Sequence, residues 1–409
     1  MRLNLQPIAA SGFTTARHYR TGEPLHVRWE NHQLTLVTPG YEEACDDQWI
    51  APGLFDLQVN GYAGIDFQND HALSREALLH VVRTLRSDGC HRFLLTLITT
   101  EWPSLLHRLR RFREIIHADP ELHAAIPGWH IEGPFISAEP GYIGAHCPEC
   151  ARDANPQDIR DLKNLVGNDP LLLTLAPERS GSLDTIREAV RNGFIVSFGH
   201  TNATRDQLEA AHQAGASAFT HLGNGCPQLL DRHDNLLWRV LDKPRLHTGI
   251  IADGIHVSPQ LFRIMHRLLP DPLVWWTTDA MAAASAEPGT YTIGKTSVTV
   301  GTDGIVRHPT TGGFAGSSLT PIEAIRRGSQ MLDRPWRECW DFLSTNPAKI
   351  MGLTSDLQPG FPSGFQLLRH ASVNEYTPVP CVSPIASHLG MARPSKRSVK
   401  KPQPAALME

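Results

Sequence analysis

No apolar stretch in this 409-residue chain is long enough to span a bilayer. The longest, Phe93 to Ile98, is broken by Thr96 and reads as a buried strand. The opening residues MRLNLQPIAASG lack the continuous apolar core of a signal peptide. The seven cysteines are odd in number and scattered, so no disulfide framework is expected, and a reducing cytoplasm is the expected location. Charge of one sign is also scarce. A net charge of −4 gives no general attraction to nucleic acid or to a membrane surface. What is present is ordinary for a soluble protein, 41% hydrophobic and 20% charged residues, enough for one large catalytic domain and a small accessory one.

Residues 1–50 hold short β-like runs, Leu25 to Trp29 and Gln33 to Val37, with turn signals and no helical period. At Ile50 the character changes. Strands are expected at Leu54 to Asn60, Phe93 to Thr99, Gly128 to Glu132, Leu171 to Ala176, Phe194 to His200, Ala218 to His221, Thr248 to Asp253 and Leu273 to Asp279. Helical patterns separate them. Leu78, Val81, Val82 and Leu85 form one apolar face, and Leu261, Ile264, Met265 and Leu268 repeat its spacing. Eight such units predict an α/β fold, a (β/α)8 TIM-type barrel over 51–352, although a doubly wound open sheet shares the alternation. A β-hairpin insertion is expected at 288–308. Residues 353–372 are expected to return to the N-terminal strands and complete a small β-sandwich domain, and 373–409, rich in Lys, Arg and Pro, to form a disordered tail.

Two of the expected strands run into histidines, His200 and His221. The helix between them opens on a capping box, Thr204 to Gln207, and closes at Gly215. Parallel strands of a βαβ unit end at the same sheet edge, so both imidazoles belong on one rim, as half of a metal site or as hydrogen-bonded loop caps. The third strand ends in Glu132. A carboxylate with two imidazoles leaves a coordination position open, the pattern of catalytic zinc sites. The eighth strand ends in Asp279 behind Val274, Trp275 and Trp276, which suits a general base facing a metal-activated water, or a cap for the following AMAAASA stretch.

The motifs LQVNG, HIEGPF, GAH, SFGHTNA, THLGNG, IADGIHV, TTDA and AGSSLT, in that order over roughly residues 50–350, resemble the N-acetylglucosamine-6-phosphate deacetylase family of the amidohydrolase superfamily. The resemblance implies hydrolysis of an N-acetyl amide on an amino sugar phosphate. It implies one divalent metal per subunit, zinc first and iron or another ion next, on Glu132, His200 and His221, with Asp279 as catalytic acid/base. It places His146 on the acetyl carbonyl, and Ala145, Asn224, Gly225, Arg232, Asp253, Gly254, Ile255, His256, Phe314, Ala315 and Gly316 around the sugar phosphate. A homodimer is implied as well. Many amidohydrolases carry His-x-His on the first strand; this chain has Gln58 and Asn60 there, which argues for a single ion. A galacto epimer or another N-acetylated substrate, and a member that only binds ligand, are the competing readings.

Two further features attract notice. Cys147-Pro-Glu-Cys150 is a lone CxxC beside His146, expected to be two ordinary thiols. His130, close before Glu132, is expected to point away from it and serve packing or support.

Overall fold

The computed structural model describes residues 2–371 except 7, 43, 44, 46, 71–73, 244, 309–311 and 361–363. Eight parallel strands form one sheet in chain order: β1 (Leu54–Val59), β2 (Cys90–Ile98), β3 (Gly128–Glu132), β4 (Leu171–Leu175), β5 (Ile195–Phe198), β6 (Ala218–Phe219), β7 (His247–Ile251) and β8 (Val274–Thr277). Every residue of β1, β3, β4 and β8 is buried, because helices cover the outer face while side chains fill the inside. This is why these strands read as continuous apolar runs without alternation.

Closure of β1 onto β8 separates a barrel from an open sheet, and here it depends on a side chain. Asp56, fully buried on β1, accepts at Oδ1 from the Gln58 amide and the Thr277 hydroxyl, and at Oδ2 from the amide and hydroxyl of Thr278. Just beyond, Asn60 N–H donates to the Ala280 carbonyl at 2.7 Å, and Val59 bridges Ala280. The result is a closed (β/α)8 barrel.

A polar belt crosses the barrel interior. His130 Nε2 lies 2.8 Å from Thr174 Oγ1, which lies 2.8 Å from Thr220 Oγ1, itself 2.7 Å from Ser197 Oγ. His130 therefore does not point away from Glu132. The two are separated by two residues, one full strand period, and share the interior face. Burial holds the His130 imidazole down to about 4, so it is neutral.

The helix Arg75–Ser87 buries Leu78, Val81, Val82 and Leu85 as its spacing predicts. The helix Pro259–Leu268 does not follow expectation. Met265 is buried as expected, but Ile264 and Leu268 are exposed and Phe262 is buried in their place, because Phe262 packs on Trp276 of β8 with ring centroids 5.6 Å apart.

Around the barrel, Arg2–Leu5, Gly12–His18, Pro24–Glu30, Gln33–Pro39, Gln48–Pro52 and Phe365–Ala371 build a six-stranded sheet. The strand that follows the barrel lies between the first and fifth of these and runs antiparallel to both. A three-stranded antiparallel piece, Gly289–Ile293, Thr296–Val300 and Val306–Arg307, packs Ile293 and Val298 against Ile98 and Met281 beside the rim. The expected tail at 373–409 lies outside the described residues. Among those residues no helix is long and apolar enough to cross a membrane.

Candidate active site

Parallel register sets the height of the rim residues. Phe198 on β5 pairs with Phe219 on β6, so His200 and His221, each two residues further on, leave the sheet at the same level. The intervening helix starts at the predicted capping box, in which Gln207 N–H donates to Thr204 Oγ1 and Thr204 N–H to Gln207 Oε1. His200, His221 and Asp279 all adopt positive φ, 50°, 35° and 51°. A non-glycine residue there costs on the order of 1–3 kcal/mol. Three such residues at three strand ends turn the side chains inward over the barrel mouth.

Glu132, His200 and His221 come together. One ligand atom from each lies within 4.8 Å of the others, and all three side chains are buried. Glu132 Oε1 is 2.8 Å from His221 Nε2 and 3.2 Å from His200 Nε2. The tautomer of His200 tests whether these atoms suit a metal. Its Nδ1 lies 2.7 Å from the Tyr142 carbonyl, which can only accept, so Nδ1 carries the hydrogen. In the neutral ring Nε2 then presents a lone pair to a carboxylate oxygen, an arrangement that calls for a cation between them. The donor set fits a divalent ion of the zinc class.

His146 has the opposite tautomer. The Thr99 backbone N–H donates to His146 Nδ1 at 3.3 Å, and the Thr99 hydroxyl lies 2.9 Å from the same atom. Nδ1 therefore accepts, and the hydrogen sits on Nε2, 3.6 Å from Glu132 Oε2. Burial and the neighbouring His200 hold His146 down to about 3, so it is a neutral N–H donor facing the cluster.

Asp279 does not cap a helix; the residues after it bridge and turn. Its Oδ1 accepts from Gln58 Nε2 at 3.0 Å and Asn60 Nδ2 at 2.7 Å. Burial pushes its carboxyl up to about 7, with Glu132 adding to the rise and His221, His256 and Asn60 opposing it. A carboxyl balanced near neutrality can both take and return a proton.

Beyond β7, Asp253 receives the amides of Ile255 and His256 and holds His256 Nδ1 at 2.6 Å. His256 packs against Phe314 with the rings tilted by 51° and centroids 4.9 Å apart, and its buried Nε2 has no hydrogen-bond partner among the described residues. Gly254 and Gly316 take positive φ, and a Cβ on Gly316 would come 3.2 Å from Met281. Ala145 packs against the cluster containing Met281 and Ile98. Asn224 N–H donates to the His221 carbonyl, and a Cβ on Gly225 would lie 2.9 Å from His200 Nδ1. Ala315 is buried. Arg232 is not brought to the cluster; it is exposed and donates to His233 Nε2.

Sequence reasoning passed over Asp56 and Thr99. Asp56 had a signal, since it stands on β1 two residues before Gln58 and four before Asn60, which follows the strand. Thr99 had none, because its effect arises only once β2 and the 144–150 loop meet.

The sequence matches the Amidohydrolase family over residues 49–368. It is 32% identical to N-acetylglucosamine-6-phosphate deacetylase of Danio rerio over 318 residues, 76% of this chain and 77% of that one. Identity to the Vibrio furnissii deacetylase of the same name is 30%, with 75% of each chain covered. Among solved structures, a Mycobacterium smegmatis N-acetyl-D-glucosamine-6-phosphate deacetylase variant in complex with N-acetyl-D-glucosamine 6-phosphate superposes with a TM-score of 0.76 at 26% identity, covering 88% of this chain and 94% of that one. The Pasteurella multocida deacetylase gives 0.75 at 27% identity, covering 86% and 93%. With its barrel, its Glu-His-His cluster and these relatives, the chain belongs to the amidohydrolase family and, within it, to the N-acetylglucosamine-6-phosphate deacetylases.

Proposed function

We propose that this chain hydrolyses N-acetylglucosamine 6-phosphate to glucosamine 6-phosphate and acetate. The observation that carries this reading is the convergence of Glu132, His200 and His221 on one point, beside an aspartate held by two amide donors. Glu132, His200 and His221 would hold one divalent ion per subunit, zinc matching them best and ferrous iron next. When bound, the ion supplies Lewis-acid polarisation and eases deprotonation of water.

The chain's own residues supply the rest. His146 donates from Nε2 to the acetyl carbonyl oxygen and stabilises the negative charge that grows there. Asp279 takes a proton from water as the oxygen attacks the carbonyl carbon. It then gives that proton to the nitrogen as the C–N bond breaks, so acetate and a free amine leave. Asn224, Gly225 and the loops at Asp253 to His256 and Phe314 to Gly316 seat the sugar. His256 offers Nε2 to the phosphate. Arg232 stands on an exposed loop near exposed Leu229 and Trp238, a surface suited to a second copy of the chain. In a homodimer its guanidinium would reach the partner's phosphate and hold it bidentately.

The test is acetate release by metal-loaded protein from N-acetylglucosamine 6-phosphate, its galacto epimer and the two unphosphorylated sugars. The phosphorylated gluco substrate is expected to lead by at least about tenfold in kcat/KM, the value of one charge-assisted contact. Equal rates with and without phosphate would remove Arg232 and His256 from their roles.

A further inference from the structure

We propose that Cys147 and Cys150 form a redox-modifiable dithiol in a cavity beside His146, closed to an intramolecular disulfide by peroxide, and that closure slows turnover. Both thiols are partly exposed. The short 3-10 turn Pro148–Cys150 brings the two Sγ atoms to 2.9 Å, within about 1 Å of a disulfide bond length. No other pair of cysteines among the described residues makes such a contact; Cys45, Cys90 and Cys339 are buried singly. The two thiols also line a cavity of about 530 Å³ together with Thr99, His146, Arg108 and Lys295.

The chemistry balances with peroxide as oxidant. The Cys147 sulfur attacks one peroxide oxygen, the O–O bond breaks, and a sulfenic acid forms as the first water leaves. The Cys150 sulfur displaces the sulfenic hydroxyl, the S–S bond forms, and a second water departs with the Cys150 proton. Two thiols lose two electrons and one peroxide becomes two waters. Burial and the adjacent thiol push Cys150 up to about 11, which keeps it a thiol and leaves the attack on peroxide to Cys147.

The link to turnover is one peptide bond. Cys147 follows His146, whose ring is positioned by Thr99 just after β2. Closure draws residues 147–150 together, removes the Cys147 donation to Glu149 Oε2, and pulls on the backbone of His146. That consequence rests on the proposed role of His146; the disulfide itself does not.

The experiment treats metal-loaded full-length protein with hydrogen peroxide, then reads intact mass, peptide linkage and acetate release. The expected result is loss of two hydrogens, a Cys147–Cys150 link, and a fall in kcat/KM of about tenfold, the sensitivity of a reacting geometry to sub-ångström displacement. Dithiothreitol restores the rate, and the double variant Cys147→Ser, Cys150→Ser keeps its rate through peroxide treatment. Absence of the link, or an equal loss of rate in the double serine variant, overturns the proposal. A link formed in a protein that releases acetate from no substrate overturns the deacetylase reading and the effect on turnover, and leaves the dithiol chemistry standing.

Discussion

Asn60 donates its side-chain N–H to Oδ1 of Asp279 at 2.7 Å, and Gln58 donates to the same oxygen at 3.0 Å. The carbonyl oxygens of both amides are buried with no hydrogen-bond partner among the described residues, so each amide uses its donor on Asp279 and leaves its acceptor unpaired. The pair stands at the end of β1 and holds Asp279, the proposed acid/base. Asn60→Leu and Gln58→Leu should each lower kcat by about 10- to 100-fold, the value of a hydrogen bond to a charged group, with KM within about threefold. Steady-state kinetics decide it; a change confined to KM would mean that the amides contact substrate instead.

Glu132 and His200 present a carboxylate oxygen and an imidazole lone pair to each other at 3.2 Å. Without a cation that contact is repulsive unless a proton intervenes, so metal removal should cost stability as well as activity. At a free metal concentration of 100 times Kd the expected gain is about 2.7 kcal/mol, or about 3 °C in Tm for a chain of this size. Calorimetry of chelated and reconstituted protein reads this without substrate. His200→Ala should abolish the metal-dependent shift, and retention of the shift would place the ion elsewhere.

The strand ends were legible because βαβ topology fixes which edge they share, and the register of β5 against β6 then carried His200 and His221 to one level. The capping box at Thr204 was legible because it is local. What escaped was long-range and polar. Thr99 sets the tautomer of His146 across 47 residues, and Asp56 reaches Thr277 and Thr278 across more than 200. The spacing of Asp56 before Gln58 and Asn60 marks Asp56 itself, but no periodicity names Thr277, Thr278 or His146 as a partner. The Pro259–Leu268 helix shows a different failure, since its leucine spacing described a plausible face while the ring of Phe262 decided the packing.

Asp56 stands in for ladder hydrogen bonds where β1 meets β8. Asp56→Ala would leave the amides of Gln58 and Thr278 and the hydroxyls of Thr277 and Thr278 without their acceptor. Each buried unsatisfied donor costs about 1–3 kcal/mol, so a loss of at least about 3 kcal/mol is expected, read as a lower urea midpoint. Asp56→Asn keeps one acceptor but turns an N–H toward Thr278, and should fall between wild type and alanine. Equal stability of all three would show that the barrel closes by other means.

Acid weakens the fold through two histidines. His266 accepts from Trp276 Nε1 at 3.0 Å, and burial holds its imidazole down to about 4. His91, at the start of β2, lies 3.3 Å from Gln366 on the strand that follows the barrel, and burial likewise holds it down to about 4. Gly53 and Gly364 crowd the His91 ring so closely that a Cβ would come within 2.6 Å and 2.4 Å of it. Both rings are only partly exposed, so a charge on either is poorly solvated. Both folded pKa values lie below the unfolded value of about 6.5, so the unfolded chain binds protons first as pH falls. Stability is therefore full above about pH 6.5, declines toward pH 4, and levels off below it. The loss is about 3 kcal/mol at most per histidine. His91→Gln cannot take up a proton, so its stability declines less between pH 6.5 and 4 than wild type's. Urea unfolding across that range compares the slopes, and parallel curves for wild type and variant would exclude His91 as a source of the acid sensitivity.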